Sequence, residues 1–167
     1  MAFLTALIIS DSHGNRDRIT HAVARTNPDA VLFLGDGLAD LDAIPDHVTL
    51  RAVRGNCDHL RAEGTPESAL VEIGGYRLFL THGHREGVKY GLDVAVAIAL
   101  ANGADALLYG HTHRAFERLF PVGATLAGRT LTRPFLILCP GALGDTPSSF
   151  ATLTLSPQGL LSNLVQT

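Results

Sequence analysis

A chain of 167 residues that is 46% hydrophobic and only 17% charged has enough apolar material for one sizeable core, and too much for a disordered segment. Its formal net charge of −3, with no run of Lys or Arg, argues against partners bound through bulk electrostatics, namely long nucleic acid or an acidic membrane surface. A small phosphate-bearing substrate held by local charge stays compatible with that balance.

The opening MAFLTALIISD reaches a carboxylate after too short an apolar run for a signal peptide and reads as a strand. No later apolar run approaches the ~18 residues of a membrane span. The strand stops at DSHGN, a turn. RDRITHAVART follows with helical spacing that turns Ile19, Ala22 and Val23 inward, and Asn27-Pro28 ends it. AVLFLGDG and VTLRAVRGNCD each give a strand running into a Gly-containing loop, so the first third has the β-loop-α-β-loop-β order of a parallel sheet.

ALVEIGGYRLFLTHGH reads as two strands around a Gly74-Gly75 hairpin turn, the second running into a His-rich loop. DVAVAIALANG is a helix stopped by Asn102-Gly103, and ADALLYGHTH is again a strand and loop. The remainder is mostly strand, punctuated by Pro and Gly, with a hairpin turn at SPQG. Repeats, low-complexity stretches and linkers are absent from the sequence. The expectation is one domain over 1–167, of α/β class, a four-layer α/β/β/α sandwich of two stacked mixed sheets flanked by helices. Cys57 and Cys139, both placed in turn-like contexts, read as free thiols of a reducing, cytoplasmic setting.

The chemistry gathers where strands end. The loops DSH, GDG, GNCD, THGH and GHTH each follow an apolar strand, and in open α/β sheets such loops converge on one crevice. They carry five of the eight histidines together with Asp11, Asp36, Asn56 and Asp58. Each residue alone has an ordinary explanation, as an Asx turn or a surface imidazole. Five such loops in this order point to a metal site built from oxygen and nitrogen ligands. His111 and His113 weigh most, because alternating imidazoles at the end of a buried strand are costly unless each has a partner. Read as extended chain, that segment turns positions i and i+2 to one side. Imidazole with carboxylate suits Mn, Fe, Zn, Co or Ni rather than a purely oxygen-ligated Ca.

The set D-x-H, GD, GN, a His before Gly, and GHTH resembles the calcineurin-like metallophosphoesterase superfamily. The short length and the GNCD form resemble its small single-domain phosphodiesterase branch of bacteria and archaea. The similarity runs from Asp11 to about Leu155, with CPGALG where the family usually shows an Asn-Pro-Gly-Ser-like turn. It implies two divalent ions, Mn first among those above. Asp11, His13 and His113 would hold one, Asn56, His82 and His111 the other, and Asp36 would bridge both. It further implies that Asp11, Asp36, Asn56, His82 and His111 serve catalysis, and that a metal-bridging hydroxide attacks the phosphorus of a small phosphodiester or phosphomonoester.

Many members of the superfamily carry a histidine after the GN asparagine, and this chain has Cys57, a poor proton donor beside an imidazolium. Asp58 is expected to orient a neighbouring histidine. Arg54, Arg85, Lys89 and Arg114 lie close enough in sequence to the same loops to hold phosphate. The rival expectation is an interaction scaffold, because the fold also resembles a retromer subunit that has lost part of its metal-site chemistry. This chain keeps every expected ligand, which favours an enzyme acting on a small phosphate ester, with neither long nucleic acid nor membrane as partner.

Overall fold

The computed structural model describes residues 3–59 and 62–167. Strand β1 (Leu4–Ile9) leads into helix α1 (Arg16–Thr26), then β2 (Ala30–Phe33), a 3₁₀ helix over Leu38–Ala43, and β3 (Thr49–Ala52). Next come β4 (Ser68–Ile73), β5 (Tyr76–Thr81), helix α2 (Asp93–Ala101) and β6 (Ala106–Tyr109). The chain closes with β7 (Ala115–Phe120), β8 (Thr125–Leu126), β9 (Arg129–Thr130), β10 (Phe135–Pro140), β11 (Ser149–Ser156) and β12 (Gly159–Gln166).

Two five-stranded mixed sheets result, ordered β12-β11-β1-β2-β3 and β4-β5-β6-β10-β7. In the first, β1, β2 and β3 run parallel; in the second, β5, β6 and β10 do. Alternation along the strands assigns the layers. Ala6 and Ile8 of β1 meet Leu78 and Leu80 of β5 and Leu108 of β6 between the sheets. The other face of β1, Leu7 and Ile9, packs on Ile19, Ala22 and Val23 of α1. Phe79 and Leu107 on the outer face of the second sheet pack on Ala95, Val96 and Ala99 of α2. The order is therefore helix, sheet, sheet, helix, as the sequence predicts.

Local signals act where the sequence places them. Asn27 caps α1 in the left-handed region at φ 42°, with its N–H on the Val23 carbonyl. Gly74 and Gly75 form the two-residue hairpin between β4 and β5, with φ of 58° and 82° at positions where a Cβ would be strained. Pro157 and Gln158 turn β11 into β12. One expectation fails: Cys139 does not lie in a turn. It is a fully buried residue of β10, paired across to Phe116, and the strand runs on through Pro140 at its end. Proline is tolerated there because a strand terminus needs no further ladder donor.

Candidate metal centre

The parallel strands deliver their C-terminal loops to one end of the sandwich. Asp11 and His13 follow β1, Asp36 follows β2, Asn56 follows β3, His82 follows β5, and His111 and His113 follow β6. All seven sequence-predicted residues meet there. Asp11, His13 and His113 form one group, and Asp36, His82 and His111 another; within each, ligand atoms lie within 4.8 Å of one another. His13 and Asp36 also meet with Cys57 in a third such group, so Asp36 stands between the two halves. Asn56 joins through its Oδ1, 3.1 Å from His82 Nε2.

The backbone that presents these side chains is not extended. Asp11, His13, Asp36, His111 and His113 have φ of 54°, 46°, 62°, 66° and 59°. Each left-handed residue other than Gly costs about 1–3 kcal/mol, so five gathered at one site are strain that the surrounding contacts must hold in place. The i, i+2 reading of His111 and His113 on an extended segment is therefore corrected: tight turns aim the two rings into different groups. Thr112 between them donates its N–H to the Gly110 carbonyl.

Neighbouring loops hold the turns in place. Asp11 is fully buried, and its Oδ2 accepts from Ser10 Oγ at 2.5 Å and from the His111 N–H at 3.1 Å. Asp40, in the 3₁₀ helix, accepts from Ser12 Oγ and the Gly14 N–H. Asp58 does not orient a histidine, contrary to expectation. Its carboxylate accepts the backbone N–H of Asp36, Gly37, Leu38 and Gly55 at 2.7–2.9 Å, which welds the Asp36 loop to the Asn56 loop. The approach is close enough that a Cβ on Gly55 would land on Asp36 Oδ1. Sequence reasoning missed Asp145, which accepts from His113 Nδ1 at 3.0 Å. It sits in the loop after β10, tied to the β1 loop by Leu143 N–H on the Ser10 carbonyl and Gly144 N–H on the Asp11 carbonyl. Arg18 of α1 also donates to the Leu143 and Asp145 carbonyls.

The proton positions decide what fits between the groups. His82 is fully buried, and its Nδ1 lies 2.7 Å from the Leu34 carbonyl, which can only accept. Nδ1 therefore carries the proton, and Nε2 of the neutral ring turns a lone pair on Asp36 Oδ2 at 3.3 Å and Asn56 Oδ1 at 3.1 Å. Likewise His113 donates from Nδ1 to Asp145 and turns Nε2 on Asp11 Oδ1 at 3.2 Å. That Oδ1 is buried with no hydrogen-bond donor among the described residues. Acceptors facing acceptors, with a buried carboxylate on one side of each contact, call for a cation between them, and the residues fit a metal ion at both places.

In the metal-free protein a proton partly fills that role. Burial opposes a charge on His82, but Asp36 and Asp11 outweigh it and hold the imidazole pKa above its usual value. Burial likewise opposes ionisation of Asp36, and bonds from His82 and the Cys57 N–H overcome it, keeping the carboxyl far below the carboxylate range. His111 is pushed down to about 4 by burial, His82 and Lys89. His84, which sequence reasoning left without a role, stands with its ring 5.5 Å from His82 and 6.1 Å from His111, and burial and His82 lower its pKa.

Cys57 is exposed, with Sγ 3.4 Å from Asn56 Nδ2; desolvation and then Asp36 raise its thiol pKa. Of the four predicted cations, Arg54 and Arg85 are both committed to Glu67, at 3.1 Å and 2.6 Å. Lys89 and Arg114 form no ion pair among the described residues.

The chain is 29% identical over 157 residues, 91% of its length and 85% of the relative's, to the probable metallophosphoesterase YsnB of Bacillus subtilis (strain 168). Its fold matches a predicted phosphoesterase of Streptococcus pneumoniae TIGR4 with a TM-score of 0.72 at 22% identity, covering 100% of this chain and 99% of that one. It matches an archaeal phosphodiesterase with a TM-score of 0.69 at 21% identity, covering 98% and 100%. Residues 4–157 match the family model of the calcineurin-like phosphoesterase superfamily domain, and the chain belongs to that superfamily.

Proposed function

We propose that this protein is a hydrolase that cleaves small phosphodiesters with the help of two divalent metal ions. The observation that carries this reading is a pair of acceptor-against-acceptor contacts at one end of the sandwich, His82 Nε2 on Asp36, both buried, and His113 Nε2 on the buried Asp11. Asp11, His13 and His113 would hold one ion, His82, His111 and Asn56 the other, and Asp36 would touch both. When bound, such ions polarise phosphoryl oxygens and lower the pKa of water towards ~7, supplying hydroxide at neutral pH.

The chain's own groups set the rest. Two aspartates neutralise only half of four metal charges, so the crevice stays attractive to a phosphate anion. Leu34 and Asp145 fix the tautomers of His82 and His113, keeping both Nε2 lone pairs aimed inward. In the reaction one P–O bond forms to the water oxygen, the bond to the ester oxygen breaks, and the departing alcohol takes up a proton. Cys57, with a raised pKa, is a poor source of that proton, so esters with acidic alcohols suit the site better. Mn is the first ion to test, with Fe, Zn, Co and Ni after it. The archaeal phosphodiesterase of the same fold and the motif set support the diester preference.

The test is turnover of bis(p-nitrophenyl) phosphate, p-nitrophenyl phosphate and cyclic nucleotides by stripped and metal-reconstituted protein. Metal-dependent release of nitrophenol, fastest from the diester, is the expected result. Full metal loading without turnover of any ester would leave the scaffold reading instead.

A further inference from the structure

Beside the metal centre, between the loop that follows His82 and the loop that carries His111 and His113, lies a cleft of about 590 Å³. Val88, Lys89, Tyr109, Thr112, Arg114 and Phe116 line it. Nothing in the hydrolysis described above uses this space. Thr112, which sits between two proposed ligands, and Arg114, which follows the second, are part of its lining, so the cleft lies against the loop that carries His111 and His113.

Its walls are chemically divided. Lys89 and Arg114 are exposed cations without a carboxylate partner among the described residues, whereas Arg54 and Arg85, also near the site, are already paired with Glu67. Two uncommitted cations on one cleft of a chain with net charge −3 are a local reversal of sign. The rest of the lining is largely apolar: Val88 and Tyr109 are buried at 5% and 4% exposure, and Phe116 leaves 38% of its surface open. A volume of this size takes a small organic group rather than a water or a lone anion.

We infer that this cleft binds the second arm of the ester, and that the substrate carries there a further anionic group on a flat or apolar body, as a nucleotide bearing a second phosphate does. This rests on the phosphoesterase reading and adds to it a substrate class. The scissile phosphate is placed at the metal centre; Lys89 and Arg114 hold the second anion, and Phe116 and Val88 cover the body that links the two. A single-phosphate diester fills the centre and leaves both cations unpaired, so it is the poorer substrate.

The experiment compares thymidine 5′-(p-nitrophenyl phosphate) with the same ester bearing a 3′-phosphate, and with a 3′-O-carboxymethyl analogue, on metal-loaded protein. The three share one scissile bond and one leaving group, so differences report the second anion alone. We expect kcat/KM to favour the 3′-phosphate, mainly through KM. Lys89→Ala and Arg114→Ala should each cut that preference by roughly 3–10-fold, the double variant should remove it, and high salt should shrink it. Arg51→Ala, an exposed cation elsewhere, should leave the ratio unchanged. The carboxymethyl arm separates recognition of a phosphoryl group from recognition of any anion. Equal turnover of all three esters by the wild type, or a preference untouched by the double variant, overturns this inference and leaves the phosphoesterase reading standing. No turnover of any ester by protein with full metal content overturns both.

Discussion

Asp58 Oδ2 accepts the backbone N–H of Asp36 at 2.7 Å, so the residue that stands between the two candidate ligand groups is itself held by a carboxylate 22 positions along the chain. Three further N–H groups converge on the same carboxylate, from Gly37, Leu38 and Gly55. Its charge serves as a staple for two loops rather than as a ligand or a partner of histidine.

Asp58→Asn exchanges one of those oxygens for an amide nitrogen, which can only donate and would face two N–H donors. Stability should fall by about 2–4 kcal/mol, or ~5–15 °C in melting temperature for a domain of this size. Metal affinity should fall with it, because the Asp36 turn loosens. A melting curve and metal analysis of the variant check both; a wild-type Tm would mean the staple carries little of the turn's stability.

Asp36 itself should be the most costly proposed ligand to neutralise. Asp36→Asn removes a negative charge shared by two cations, whereas His13→Ala or Asn56→Ala removes one neutral ligand. We expect the aspartate variant to lose the larger share of both metal and rate. Comparing metal stoichiometry and kcat across the three variants tests the order. Near-full rate and full metal content in Asp36→Asn would rule out the bridging role.

Much of this centre is legible in the sequence because parallel strands carry their C-terminal loops to one place, and each loop announces itself as an apolar run ending in Asp, Asn or His. The helix, sheet, sheet, helix order follows from the same periodicities. The left-handed turns at Asp11, His13, Asp36, His111 and His113 are not legible, since Asp and His tolerate but do not dictate that conformation. For the same reason the GHTH segment reads wrongly as extended. Asp145 escapes notice because its partner His113 lies 32 residues away, and nothing local marks it. Cys139 misleads because Cys-Pro-Gly has turn composition, whereas its register against Phe116 makes it strand.

Acid should strip the centre through His82 first. Metal binding requires its neutral form, and in the metal-free protein Asp36 and Asp11 raise its pKa above the ordinary 6.5. A raised pKa means that a proton competes with the metal at higher pH than a free imidazole would allow. His111, held down to about 4, stays neutral through that range and adds no such competition until much lower pH. Metal affinity should therefore already be falling at pH 6.5, by up to tenfold per pH unit for the proton that His82 takes up. Calorimetric metal titrations in buffers of different ionisation enthalpy count that proton; affinity flat between pH 5 and 7 would contradict the assignment of His82.

Cys57 stands where the motif resemblance leads one to expect a histidine, and its raised thiol pKa makes it a poor proton donor. Rates should depend steeply on the acidity of the leaving alcohol, with nitrophenyl diesters fast and simple alkyl diesters slow. Cys57→His should raise turnover of the slow esters by part of the ~10²–10⁴-fold that general acids supply, and leave the fast ones nearly unchanged. Cys57→Ser should change little. A large loss in Cys57→Ser at normal metal content would make the thiol a participant.

The most direct test of a two-ion phosphodiesterase is a stoichiometric metal titration of stripped protein with Mn, reading bis(p-nitrophenyl) phosphate turnover and bound metal at each step. Two ions held by groups that share Asp36 should act together, so that turnover climbs as the second equivalent binds and levels off at two ions per chain. Turnover complete at one ion per chain, or unaffected by metal altogether, would contradict it.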